Sequence, residues 1–263
     1  VRAYSYMIKI KLLLALSYRF EFFTALFSRF ILLFVMAFFW KAAYNGLDVV
    51  EMVNERQMLT YSVISMIMSG VFSISVESSI RNRVRKGDVA VDFIKPVNIF
   101  LMYLSEDVGS SVTEIVKTAI PVLICSALFI VIPAPSSFLN FILFLASSLL
   151  SYSILWLISA IFGLFYFWVI DLGPIGAVKD YLIAILSGAF IPIWFFPQTI
   201  QTILKYLPFT YTYQHPLKIY IGRATVEEAL IGMGIQLLWV LIFFVSFKLL
   251  KKRVEKNILV QGG

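Results

Sequence analysis

The sequence predicts an all-α integral membrane protein, folded as a single domain over residues 1–263 and built on six transmembrane helices. Three observations carry this reading. Of the 263 residues 60% are hydrophobic and 14% charged, with 25 Phe and a mean hydropathy of +0.90. A soluble domain is roughly half apolar and a quarter charged, so the excess exceeds what one water-facing core can hide. The apolar residues also fall into long uninterrupted runs, and the charges gather at the ends of those runs.

A bilayer core of about 30 Å needs about 20 apolar residues as helix, because unpaired backbone groups are intolerable in lipid. Six segments qualify: Phe22 to Trp40, Met58 to Val76, Val112 to Ile132, Phe141 to Ile170, Tyr181 to Phe196 and Leu230 to Leu250. The fifth is short and interrupted by Pro192 and Pro197, which predicts an early end and a re-entrant continuation. Placing the N-terminus in the cytosol puts Arg2, Lys9, Lys11, Arg19, Arg81, Arg83, Arg85, Lys86, Lys95, Lys179, Lys248, Lys251, Lys252, Arg253 and Lys256 inside. Lys41, Arg56, Lys205, Lys218 and Arg223 fall outside. That bias predicts both termini in the cytosol. It also accounts for the net charge of +7 without a nucleic-acid partner. The basic stretch from Arg2 to Arg19 lacks a small-residue cleavage site, so the first apolar segment is expected to remain in the mature chain.

Three non-spanning pieces carry information. Residues 1–20 are basic and apolar without helix breakers, which predicts a helix at the cytosolic membrane surface, although Lys9 and Lys11 project from opposite sides. In the cytosolic loop 77–98, Glu77, Arg81 and Arg85 recur every four residues, predicting one helical face with i,i+4 pairing. Ile80 and Val84 form an apolar face beside it, Gly87 suits the helix stop, and Pro96 starts a new entry. This amphipathic helix is shaped to dock on another protein; a basic loop touching anionic lipid is the plainer alternative. In the outer segment 197–228, Gln198 to Tyr206 has too few apolar residues for a span and too many for a solvated loop. The segment predicts short helices dipping into the outer leaflet, with Tyr206, Tyr211, Tyr213 and Tyr220 at head-group level, or a loop resting on lipid.

Charge inside a membrane is costly, so Arg29 and Lys117 need an account. Both lie within about 11 Å of the cytosolic edge at 1.5 Å per residue, where long side chains snorkel, and Glu114 stands one turn before Lys117. The alternative makes both line a path for an anionic head group, with Arg29 as its cation. Ser147 with Ser151, Ser159 with Gly163, and Ala184 with Gly188 predict close helix packing. Asp171 and Asp180 are accounted for as helix-end charges around an inner loop.

Catalytic signatures are missing. The sequence has no G-x-x-x-x-G-K-[ST] phosphate loop, one histidine (His215, expected to be solvated or interfacial) and one cysteine, Cys125, which excludes an internal disulfide. No catalytic residue, metal site or cofactor is expected in this chain.

Several motifs then converge. Phe39-Trp40-Lys41-Ala42 closes the first span and Gln57-Met58-Leu59-Thr60-Tyr61 opens the second. The loop runs from Ile80 through Gly87 to Ile94-Lys95-Pro96-Val97-Asn98. Ser187-Gly188-Ala189-Phe190-Ile191-Pro192 continues to Phe195-Phe196-Pro197, and Leu207-Pro208-Phe209 follows. In this order and spacing, over essentially the whole chain, they resemble one group of bacterial ABC (ATP-binding cassette) type-2 permeases. The resemblance implies a six-span half-transporter in the bacterial plasma membrane. Its partners would be a second permease, identical or related, two copies of a cytosolic ABC ATPase holding ATP and Mg, and membrane lipids. It implies a coupling helix at Glu77 to Lys86, with Glu77, Ile80, Arg81, Val84, Arg85, Lys86 and Gly87 facing the ATPase. It also implies an outer gate over about Pro197 to Tyr220, with Pro192, Phe195, Phe196, Pro197, Leu207, Pro208 and Phe209 at the site. Relatives mostly export drugs, peptides, lipids or glycans. An ion-coupled carrier and a non-transporting scaffold or sensor are the rival readings; the carrier is disfavoured because no repeat symmetry or midplane ionisable group is apparent.

Overall fold

The computed structural model describes residues 19–47, 49–87, 98–169 and 175–261. The expected interfacial helix, apart from its last two positions, lies outside the described residues, as do Asp171 and the stretch of the basic loop containing Lys95 and Pro96. Among the described residues five helical stretches are long and apolar enough to cross a bilayer: Phe22–Tyr44, Glu55–Lys86, Ile99–Phe129, Phe138–Phe165 and Val226–Lys256. The chain is an all-α, multi-pass membrane protein.

Helix α1 (Arg19–Tyr44) ends at Asn45 and Gly46, both with positive φ, and leads into a two-residue hairpin of β1 (Val49–Val50) and β2 (Val53–Asn54). Glu51 and Met52 make its turn with positive φ, matching the right-handed strand twist. Asn54 then opens α2 (Glu55–Val71) with a capping box: its side chain accepts from Gln57 N at 2.8 Å while its own N–H donates to Gln57 Oε1 at 3.1 Å.

The second apolar segment is not one helix through to Val76. It breaks at Phe72–Ser75 and restarts as α3 (Val76–Lys86), which Gly87 closes in the left-handed conformation at φ 75°. Asp107, fully buried on α4 (Ile99–Glu114), fixes the break. One carboxyl oxygen accepts from Ser75 N at 2.9 Å and Ser75 Oγ at 2.6 Å, and the other from Trp156 Nε1 at 3.0 Å. Three elements therefore meet on one carboxyl group, and the backbone donors that a helix start leaves unpaired find a partner.

The third span begins at Ile99, 13 residues before the expected Val112, with Asn98 capping Phe100 N and Leu101 N. It continues through a π-helical turn at Ile115–Ala119 into α5 (Ile120–Phe129). Pro121 has no N–H to give to the preceding turn, and the widened turn absorbs that missing bond. Here Glu114 accepts from Thr118 Oγ1 at 2.6 Å rather than pairing with Lys117.

Helix α6 (Phe138–Phe165), started by Ser137 at its N-cap, is the central column. On its far side stands α10 (Val226–Gln261), whose 36 residues outrun a bilayer's hydrocarbon. Buried Gln236 of α10 clasps α6: Nε2 donates to Ser147 O (3.1 Å), Ser151 Oγ (3.0 Å) and Tyr211 O (2.8 Å), and Oε1 accepts from Ser147 Oγ (2.9 Å). The expected Ser147–Ser151 face thus packs through hydrogen bonds. At the other end of α6, a Cβ on Gly163 would lie 2.7 Å from Ile80 Cδ1 and 3.3 Å from Glu77 Cα, so α3 rests on α6 where a side chain is missing.

The expected span Tyr181 to Phe196 is different in kind. Helix α7 (Ile175–Leu186) stops at Ser187 and Gly188, whose φ is +80°, and residues 187–197 run on without α-helix. A 3₁₀ turn (Ile193–Phe195), α8 (Gln198–Leu204), a second 3₁₀ turn (Phe209–Tyr211) and α9 (Gln214–Tyr220) follow. Of the four tyrosines expected at head-group level, Tyr206 is exposed, whereas Tyr211, Tyr213 and Tyr220 are buried. His215 is buried as well: it hydrogen-bonds the Ala229 backbone, and its Nε2 has no protein partner. A Cβ on Gly232 of α10 would collide with its ring.

Three outcomes test this packing. Asp107→Ala strands the Ser75 and Trp156 donors and should cost about 2–4 kcal/mol, read as a lower melting temperature in detergent, with Asp107→Asn costing less. Gly163→Val should displace α3 at a cost of about 1–3 kcal/mol, read as faster hydrogen exchange over residues 76–86. Burial pulls the His215 pKa down to about 4 from its ordinary 6.5. Its contribution is therefore complete above pH 6.5 and lost as pH falls toward 4, on the order of 3 kcal/mol. His215→Asn should flatten the dependence of melting temperature on pH across that interval.

Candidate functional site

A lateral groove of about 290 Å³ lies where α1, α2 and α7 face one another. Its walls follow helical spacing: Arg29, Leu32 and Met36 from α1; Ser62, Ser65, Met66 and Ser69 from α2; Asp180, Ile183 and Ala184 from α7. Ala189, Phe190 and Tyr213 close it at the α9 end. The surface is mostly apolar with a polar stripe.

Arg29 stands beside this stripe. Its guanidinium donates to Ser69 Oγ at 3.4 Å and lies where a Cβ on Gly70 would touch it at 3.5 Å. Ser69 and Ser62 donate their own protons to the carbonyls of Met66 and Met58, and Ser65 donates to Ala189 O. These hydroxyls therefore keep oxygen lone pairs available to a guest, while Arg29 supplies the charge. Asp180 lines the same groove, paired with Lys179 at 3.0 Å, and is not merely a helix-end charge.

At one end of the groove stands α3. Its apolar face is set by Val76 and Ile80, both buried, with Val84 half-buried behind them. Glu77 forms its ion pair with the buried Lys179 of α7, not with Arg81 as the four-residue spacing predicts. The pair bridges α3 to the groove-lining helix. Arg85, Lys86 and Gly87 are exposed, and Arg81 is half-exposed beside a cleft it shares with Glu77 and Lys179. The expected docking residues thus divide into an anchoring set, Glu77, Ile80 and the half-buried Val84, and an outward set, Arg81, Arg85, Lys86 and Gly87.

At the opposite end an aromatic cluster seals the bundle. Phe195 stacks on Trp40 of α1 at 5.4 Å, Trp194 meets Tyr61 of α2 edge-on at 5.2 Å, and the Arg223 guanidinium lies 4.1 Å over Trp194. Tyr61 Oη lies 2.6 Å from Gly188 O and 2.8 Å from Gln214 Oε1, which also accepts from Ile193 N at 3.1 Å. Gln201 Nε2 holds the turn by donating to Trp194 O and Phe196 O. Among the residues expected here, Pro192 and Pro208 are buried, Phe195, Phe196, Leu207 and Phe209 are half-buried, and Pro197 starts α8 at the surface.

Sequence reasoning missed Asp107 and the Ser62–Ser65–Ser69 stripe. The stripe was readable as hydroxyls three and four apart in an apolar run. Asp107 was not, because the apolar run that begins at Ile99 gives way after Leu104 to Ser, Glu, Asp and Gly, the composition of a loop. Among the described residues no group of His, Cys, Asp and Glu could hold a metal ion.

A family model described as ABC-2 family transporter protein matches residues 30–257. A comparison with curated proteins gives no match. The matched region takes in the groove apart from Arg29, together with α3 and the aromatic end. The chain belongs to the ABC-2 family of transporter proteins and is a multi-pass permease component of the kind that works with an ABC ATPase.

Proposed function

We propose that this chain is the permease half of an ATP-driven exporter, pairing with a second permease, identical or related, and with two copies of a cytosolic ABC ATPase that binds ATP and Mg. Helix α3 is the coupling helix, α7 completes a short sixth crossing, both termini lie in the bacterial cytosol, and the turns from Pro192 to Phe209 form the outer gate. The groove between α1, α2 and α7, doubled across the permease dimer, is the pathway for an amphipathic or hydrophobic substrate such as a drug, peptide, lipid or glycan. The observation that carries this reading is the double attachment of α3: its body is seated on α6 at Gly163 and its Glu77 is ion-paired to Lys179 of α7. A push on α3 then reaches the groove wall without crossing solvent. In free-energy terms, ATP binding shifts a two-state equilibrium through contacts that differ between the states.

The buried Asp107 does supply the intramembrane carboxyl that a proton-driven carrier needs. It stands beside Ser75 at the start of α3, however, and its bonds are structural ones to Ser75 and Trp156, away from the groove.

Replacing Arg81 and Arg85 by Glu should abolish co-purification of the ATPase and uncouple hydrolysis from transport at normal permease abundance; unchanged co-purification would contradict the assignment of α3. Arg29→Leu removes a charge-assisted hydrogen bond from the groove and should lower transport roughly ten- to hundredfold while leaving ATPase association intact. Unchanged transport would return Arg29 to a snorkelling role.

A further inference from the structure

On the side of the bundle away from the groove, a cleft of about 440 Å³ opens between α4, α6 and α10. Its lining is apolar along most of its length, with Leu104, Leu157, Val240 and Phe244 among the walls, and it is basic at the α3 end. On α10 the lining positions 240, 244, 247, 248 and 251 fall on one face, so the change from apolar to basic runs along the helix axis. From Val240 to Lys251 the axial span is about 16 Å at 1.5 Å per residue, the depth of one bilayer leaflet. Aromatic rings hold both ammonium groups at the rim: Lys248 lies 4.6 Å over Phe244 and Lys251 lies 5.2 Å over Phe100. Asn98, at the positive end of α4, lines the same mouth. Lys251 is shared with Glu255 at 3.5 Å, in a pair open to solvent at 27% and 41% exposure.

We propose that this cleft is a binding site for one anionic phospholipid, its phosphate held between Lys248 and Lys251 and an acyl chain lying along Val240 to Phe247. The charge selects the head group, and the apolar length selects a molecule with a tail over a free anion. The two lysines form a site rather than a diffuse basic surface because the cleft confines what they meet. Glu255 competes for Lys251, so removing its charge strengthens the site. The inference rests on the chain being a membrane protein and is independent of the proposed transport and of the role given to α3.

The test is native mass spectrometry of the full chain in mild detergent, titrated separately with phosphatidylglycerol, phosphatidylcholine and glycerol 3-phosphate. Phosphatidylglycerol should bind at one saturable site, phosphatidylcholine far more weakly, and glycerol 3-phosphate not measurably. The double substitution of Lys248 and Lys251 by Ala should weaken phosphatidylglycerol roughly ten- to thirtyfold, at about 1 kcal/mol for each lysine. Leu157→Trp, which fills the cleft without touching charge, should weaken both lipids. Glu255→Gln should tighten phosphatidylglycerol, and replacing the exposed Lys252 and Arg253 by Ala should leave it unchanged. The proposal is overturned if the two lipids bind alike, if glycerol 3-phosphate competes, or if Lys252 and Arg253 matter as much as Lys248 and Lys251. Loss of self-association instead of lipid in the lysine variants would make the face a contact between copies of the chain, which also overturns it.

Discussion

The carboxyl group of Asp107 is the joint on which the described bundle turns. It takes both the backbone and hydroxyl protons of Ser75 and the indole proton of Trp156, which places the end of α2, the start of α3, the length of α4 and the column of α6 in one fixed relation. In a bilayer a helix cannot stop without partners for its orphaned backbone groups. Ser75 alone does not provide them, since its side chain makes no N-terminal cap of the usual kind. Asp107 does, from a neighbouring helix, and the direction of α3 follows from that satisfaction.

From this joint the remaining architecture reads as two ends linked by α2. At one end Ile80 sits against Gly163, and Glu77 holds Lys179, so α3 is attached both to the central column and to the short helix α7. At the other, Tyr61 binds the bend at Gly188 and the amide of Gln214, while Trp40 and Arg223 pack on the rings of Phe195 and Trp194. Both ends pass through α2 and α7, and the groove with Arg29 of α1 and Ser69 of α2 lies where those two helices face α1. Close-packed contacts of this sort have few alternatives to a small number of discrete arrangements.

Much of this was legible in the sequence, and the failures share a cause. Long apolar runs with charges at their edges located five spanning helices, because the cost of unpaired backbone in lipid leaves little else possible. The stop at Gly87 and the unusual character of the segment around Pro192 were also readable from residue type. What escaped were partners set by tertiary contact. Glu77 and Arg81 have the spacing of a pair, yet a lysine 102 positions away takes the glutamate. His215 has the chemistry of a surface residue, and the missing side chain of Gly232 makes room for its ring. Tyr211, Tyr213 and Tyr220 look interfacial by composition, but the short helices fold back over the bundle and bury them.

On the proposed coupling, a displacement of α3 is felt at the aromatic end. The most direct measurement is the distance between spin labels at Asn82→Cys and Tyr206→Cys, both exposed positions, in a Cys125→Ser background of the permease bound to its ATPase. Adding a non-hydrolysable ATP analogue should shift the distribution by on the order of 2 Å or more, the scale of helix movements in switching proteins. An identical distribution with and without nucleotide, in a complex that still binds it, would rule this coupling out.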